Sequence, residues 1–236
     1  MQTMSLEMSR FLSLLDAPSR QAFELHLRPV PLKEGACLHE VGSTLDYVYF
    51  PTRGMVSILT TTDDGQRVET GFVGREGVVG SSLAGFERSL DTALVQIGGE
   101  AYRLPAPVFM SAYDDHRPFR YLINRYNAIM WGLAQQSAAC NALHPLRGRI
   151  ARWLLHCRAR TGSDELKITQ EAVAAMLGVR RTSVTLEESM LASQGILSIR
   201  RGQLKILRPD LLKERACECY QIHENRIADF ASGYLL

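Results

Sequence analysis

Residues 168–207, ITQEAVAAMLGVRRTSVTLEESMLASQGILSIRRGQLKIL, read as a helix, a tight turn at Gly178, a second helix and a short hairpin about Arg201-Gly202. In the first helix Ile168, Val173, Met176 and Leu177 recur at the spacing of one helix face. Thr169 stands where an N-cap hydroxyl is needed, and Thr169 and Gln170 are also candidate DNA contacts. Gln170 and Glu171 follow in the first turn, where a carboxylate suits the helix dipole. Gly178 supplies the positive φ that often ends a helix. The second helix opens with Arg180, Arg181, Thr182, Ser183 and Thr185, while Val184, Met190, Leu191 and Ile196 are its buried anchors. Guanidiniums and hydroxyls gathered at one helix start match the phosphates and base edges of a duplex. Leu197-Ser198-Ile199 and Leu204-Lys205-Ile206 alternate as hairpin strands do, and Arg200, Arg201 and Lys205 add three cations there. This order is a winged helix-turn-helix, a device that lays one helix in the major groove of double-stranded DNA.

The charge is divided in the same way. From residue 147 onward there are 15 Lys/Arg against 10 Asp/Glu, whereas residues 1–146 hold 12 against 15. The net +2 of the chain therefore hides a basic C-terminal part, as a DNA-binding module requires. Just upstream, Arg149 to Cys157 begins that module, with Ile150, Trp153 and Leu154 turned to its core. Before it a long helix is expected from about Pro118 to Leu143. Leu122, Tyr126, Ile129, Leu133, Gln136, Cys140 and Leu143 alternate in steps of four and three, the pattern of a coiled-coil seam. A seam of that length calls for a partner helix, and a twofold homodimer supplies one, with Gln136 fixing register. His144-Pro145 ends the helix and is the expected hinge. The span from Tyr126 to Leu146 carries no Lys, Arg, Asp or Glu, but its amides, histidine and proline make it too polar for lipid, so no membrane contact is expected.

Further back, residues 27–104 break into short β-prone runs such as Tyr47-Val48-Tyr49-Phe50 and Ala93-Leu94-Val95-Gln96-Ile97, separated by glycine-containing turns. That spacing argues a β-sandwich or barrel. Residues 8–26 form an amphipathic helix re-capped around Asp16-Ala17-Pro18. At 236 residues the chain has room for two domains with separate cores.

With these parts in order, the chain resembles the Crp/Fnr family of bacterial transcription regulators over nearly its whole length. CLHEVGSTLDYVYFPTRGMVSILTTTDDGQRVETGFVGREGVVG is similar to the first half of the family's cyclic-nucleotide-binding-type barrel, and GRIARWLL followed by ITQEAVAAMLGVRRTSVT matches the start of its DNA-binding domain. The resemblance implies an α+β fold: a double-stranded β-helix (jelly-roll) effector domain over 1–115, a dimerisation helix over 116–144, and a winged helix-turn-helix domain over 145–236. In relatives an Arg-Glu pair reads bases. Here the matching stretch is Arg181-Thr182-Ser183-Val184, so the arginine carries over and the glutamate does not, and a later base-reading arginine is replaced by Leu186. A cyclic-nucleotide site of the family needs a glutamate on the ribose and an Arg-Ser pair on the cyclic phosphate. The first falls near Gly80-Ser81, without a carboxylate, and the second on Asp91-Thr92, where a carboxylate would repel the phosphate. Arg88-Ser89 lies three residues earlier and restores the pair if a loop shifts. Arg75 and Glu76, on the glycine-flanked GREG turn, complete the candidate effector pocket.

The rival functions are weaker. No nucleophile elbow, phosphate-binding glycine loop or H-E-x-x-H occurs, and the six histidines share no metal-ligand spacing, so an enzyme is not expected. A signalling protein that senses a cyclic nucleotide or redox state and acts through protein partners is the other reading. Cys217-x-Cys219 has only His223 nearby as a third ligand, too few for a closed zinc site, so no metal and no cofactor are expected. Cys140 on the seam reads as a small buried thiol, or as a redox switch if it bridges two copies. Five cysteines without an export signal fit reduced thiols in the cytoplasm. Expected partners are DNA, a second copy of the chain, RNA polymerase and a small-molecule effector that the residues do not identify.

Overall fold

Alternating apolar residues between glycine turns give the first half of the chain a sheet. A computed structural model describes residues 9–232. Strands β1 (Arg28–Leu32), β2 (Cys37–His39), β3 (Tyr47–Thr61), β4 (Arg67–Val73) and β5 (Thr92–Pro105) form one five-stranded sheet of order β1-β5-β3-β4, with β2 also pairing with β5. Strands β1 and β2 run antiparallel to β5. The long β3 and β5 cross at glycines. A Cβ on Gly99 would collide with the Arg53 carbonyl, and one on Gly54 (φ +92°) would come within 2.6 Å of the Ile97 carbonyl oxygen. An apolar layer of Leu32, Val56, Val73, Val79, Val95 and Ala101 lies within this sheet.

Helices fill the other side. The amphipathic stretch expected over 8–26 is a 3-10 turn, Leu12–Leu14, followed by α1 (Ala17–Glu24); Met8 lies outside the described residues. The break is local chemistry: the Asp16 carboxylate accepts from Ser19 N–H at 3.3 Å, and Pro18 occupies the first turn. A helix that the sequence reading passed over, α2 (Ala106–Asp115), comes next, then α3 (Arg117–Leu143). Phe11, Phe23, Phe50, Phe109, Phe119, Tyr126 and Phe230 form an aromatic core, with Phe23–Phe119 and Phe109–Phe119 edge-on at 5.1 and 5.3 Å. Truncating one such phenylalanine to alanine costs about 3–5 kcal/mol.

The second half of the chain holds α4 (Leu146–Thr161), β6 (Glu165–Leu166), α5 (Gln170–Leu177), α6 (Arg181–Ser193), β7 (Leu197–Arg200), β8 (Gln203–Ile206), α7 (Pro209–Arg215) and α8 (Cys219–Ser232). The three strands make a sheet of order β6-β8-β7. Trp153 is buried, and its indole N–H donates to Glu69 at 3.0 Å. Among the described residues one compact unit takes 9–58, 72–132 and 226–232, and the other takes 59–71 and 133–225. The helix expected as a separate segment is thus shared between the two. No helix among the described residues is long and apolar enough to cross a membrane.

Candidate nucleic-acid interface

The helix-turn-helix forms from its own local signals. Thr169 caps α5, its hydroxyl accepting from Ala172 N–H at 3.1 Å, and Gly178 ends the helix at φ 63°. Helix α6 follows after a three-residue turn and anchors itself through buried Val184 and Leu191. Arg147 at the start of α4 donates to Glu187 at 2.8 Å, tying α6 in place. Gln170 is a brace between the two helices: its amide N–H donates to Glu188 at 2.9 Å, and its amide oxygen accepts from the Thr185 hydroxyl at 2.8 Å. Glu188 is 1 % exposed; burial raises its carboxyl pKa, and the bond from Gln170 opposes that rise. So Thr169, Gln170 and Thr185, read in the sequence as DNA contacts, already use their polar atoms to build the motif.

What remains outward is cationic. Arg180 occupies the N-cap position in an extended conformation, not the first helical turn, and no side chain caps α6. Arg180, Arg181 and Thr182 are exposed and Ser183 is half-buried. Among the described residues Arg181 pairs only with exposed Glu171, at 3.9 Å, a separation worth little in water. The wing turns at Gly202 (φ 70°) and exposes Arg200 and Arg201. Lys205 differs: its ammonium donates to Glu165 at 2.7 Å, which holds that carboxyl below its usual pKa and ties β8 to β6. An open groove of about 470 Å³ separates the start of α6 from the wing, lined by Arg181, Arg200 and Arg201 together with Glu171 and Glu188. Exposed Lys167, ahead of α5, adds a cation that the sequence reading overlooked. Leu186 stands 62 % exposed on α6.

The proposed seam is largely an inward stripe. Tyr126 is buried against Phe11 and Phe230 of its own chain at 5.4 and 5.7 Å, and Leu122 and Ile129 pack on the same core. Leu133 and Cys140 are buried too, and Gln136 donates to the Cys219 sulfur at 3.1 Å instead of facing a second copy. Of the seven, only Leu143 is open, 77 % exposed. The outward stripe is Tyr121, Asn124, Ala128, Trp131, Gln135, Ala138 and Ala142, also spaced three and four, without a charge, and with Trp131 69 % exposed. Either stripe satisfies the periodicity; the aromatic residues from elsewhere in the chain decide which is covered.

The candidate effector residues are taken up by their own surroundings. Asp91 pairs with His39 at 2.8 Å, and Thr92 accepts from Val41 N–H at 3.2 Å. Arg88 donates to the Gly42 carbonyl at 2.9 Å, and Ser89 to the Asp91 carbonyl at 2.9 Å. The Ser81 carbonyl accepts from Asn127. The GREG turn is not the solvated loop its charges suggest. Arg75 is exposed, but Glu76 is buried and accepts from Gly74 N–H, and a Cβ on Gly77 would strike the Tyr126 hydroxyl. Ser89, Asp91, Thr92 and His39 gather along the β2–β5 edge.

Comparison with known proteins follows the same division. Residues 29–116 match the cyclic nucleotide-binding domain, and residues 148–215 match the Crp-like helix-turn-helix domain. Among solved structures, FixK2 from Bradyrhizobium japonicum is 17 % identical, with 81 % of this chain and 98 % of that one covered and a TM-score of 0.68. The c-di-GMP responsive global regulator CLP of Xanthomonas campestris is 17 % identical, covering 81 % and 99 %, at TM-score 0.65. A putative transcriptional regulator of the crp/fnr family from Eubacterium rectale is 18 % identical, covering 85 % and 94 %, at TM-score 0.65. No curated protein sequence matches the chain.

Proposed function

We propose that this chain, which belongs to the Crp/Fnr family of transcriptional regulators, binds a pseudo-palindromic DNA site as a homodimer and responds to an effector other than cyclic AMP held in the family's usual way. One observation carries the reading: Arg180, Arg181 and Thr182 at the uncapped start of α6 stand exposed beside Arg200 and Arg201 of the wing. In this reading Arg181 hydrogen-bonds a guanine edge, the free N–H groups of α6 and the wing arginines take phosphates, and exposed Leu186 meets an apolar base edge such as a thymine methyl. The uncharged outward stripe of α3 centred on Trp131 supports dimerisation, because a helix face of that kind gains by leaving water. Two copies would set two recognition helices about 34 Å apart, one turn of DNA.

The carboxylate of Asp91, bound to His39 where relatives place a phosphate-binding pair, supports an effector without a cyclic phosphate at that place. Titrating cyclic AMP into the protein in a calorimeter should give no binding heat. DNA recognition is tested by fluorescence anisotropy on a labelled duplex selected for binding, over a range of salt. Affinity should fall linearly on a log–log plot as phosphate neutralisation requires, and Arg180→Ala should lessen the slope. Salt-independent binding, or a slope unmoved by Arg180→Ala, would contradict the reading.

A further inference from the structure

Four metal-ligating side chains from distant parts of the sequence converge in the C-terminal unit. The Sγ atoms of Cys140, Cys217 and Cys219 and a ring nitrogen of His144 all lie within 4.8 Å of one another. Cys140 and His144 come from the last turn of α3 and the residue after it, one helical turn apart, with His144 N–H still bonded to the Cys140 carbonyl at 3.1 Å. Cys217 and Cys219 come from the corner between α7 and α8. We propose that these four residues form a Cys3His site for a thiophilic divalent cation, zinc(II) above all.

The geometry is close to what such an ion needs. With zinc–sulfur bonds of about 2.3 Å, a tetrahedral site has ligand–ligand edges of about 3.8 Å. Here Cys140 Sγ lies 3.5 Å from Cys217 Sγ, and Cys219 Sγ lies 3.5 Å from His144 Nδ1. The surroundings are those of a metal centre as well. His144 has its other nitrogen, Nε2, on the Glu218 carboxylate at 3.1 Å, which fixes the ring and leaves Nδ1 for the ion. The Gln136 amide donates to Cys219 Sγ, as amides do to metal-bound thiolates.

Charge provides an independent argument. Arg149 and Arg152 are both buried; Arg149 donates to the Leu177 carbonyl at 2.6 Å, each has an Nε without a partner, and among the described residues neither is paired with a carboxylate. Their charges act on the sulfurs of Cys140 and Cys217. A buried cation is costly without a counter-charge. Three thiolates and a neutral histidine around a divalent ion carry a net single negative charge, which supplies one. Binding displaces the thiol protons to solvent. His223, the one nearby third ligand that the sequence offered, instead packs against His156, with ring centres 4.5 Å apart and the rings tilted by 46°. The ion would join the end of α3 to the α7–α8 corner, at the bend formed by His144 and Pro145.

The test is titration of the reduced full-length protein with cobalt(II), followed by zinc(II). The expected result is one cobalt per chain, with the strong visible bands of tetrahedral coordination and a thiolate charge-transfer band, both removed by zinc. Cys217→Ser should abolish the charge-transfer intensity or weaken it at least tenfold, while Cys37→Ser, on strand β2, should bind as the parent does. Glu218→Gln changes only an exposed side chain, so the fold should survive, and it should weaken binding 10- to 100-fold. Parent protein showing no tetrahedral cobalt spectrum would overturn the proposal. So would a spectrum that persists in Cys217→Ser, or thiols that join as a Cys140–Cys217 disulfide without taking up metal.

Discussion

The start of α6 and the β2–β5 edge carry the same kinds of side chain, arginine, serine, threonine and a nearby carboxylate, yet only one presents them. At the edge, Arg88 is bound to the Gly42 carbonyl, Thr92 to the Val41 N–H and Asp91 to His39, so hydrogen-bonding capacity is absorbed where it arises. At α6, Arg180, Arg181 and Thr182 lead an uncapped helix, and the acid beside Arg181, Glu171, is 3.9 Å away and exposed. Residue type alone does not make an interface. What matters is whether the local backbone and neighbours have already taken up the polar atoms.

That contrast can be broken at several points. The largest effect should come from Trp131→Glu, which puts a charge into the outward stripe of α3. Sedimentation should show monomers, and affinity for a two-half-site duplex should fall about 10²- to 10⁴-fold with the loss of bivalent binding. If the variant stays dimeric, the stripe is not the interface. Next, Arg181→Ala should cost about 1–3 kcal/mol on the selected site and relax preference at one base position. Equal weakening on every sequence would make it a phosphate contact. Arg200→Ala should weaken selected and random duplexes alike and lower the salt slope by about 1. Arg88→Ala sharpens the comparison from the other side: its DNA affinity should stay within about 0.5 kcal/mol of the parent.

The winged helix-turn-helix was legible because its determinants are local. The Thr169 cap, the glycine at 178, the period of Val173 and Leu177 and the turn at Gly202 each act within a few residues. The seven seam residues lie mostly inward because two stripes of α3 share the same three–four spacing, and which of them faces the core rests on Phe11 and Phe230, each more than a hundred residues from Tyr126. Lys205 was read as a free cation because its tie to Glu165 depends on β6 pairing with β8. The cysteine–histidine cluster was hidden for a like reason: Cys140 and Cys217 are 77 positions apart. The local signal was the one-turn spacing of Cys140 and His144, which puts both on one face of a helix end.

The central claim, that a symmetric pair of α6 tips reads DNA, is tested most directly by selecting bound sequences from random duplexes with the parent protein and with Arg181→Ala. The parent should enrich an inverted repeat whose half-sites are centred about 10 base pairs apart, and Arg181→Ala should lose preference at the same position in both halves. A parent that enriches no inverted repeat, or an Arg181→Ala profile identical to that of the parent, would contradict it.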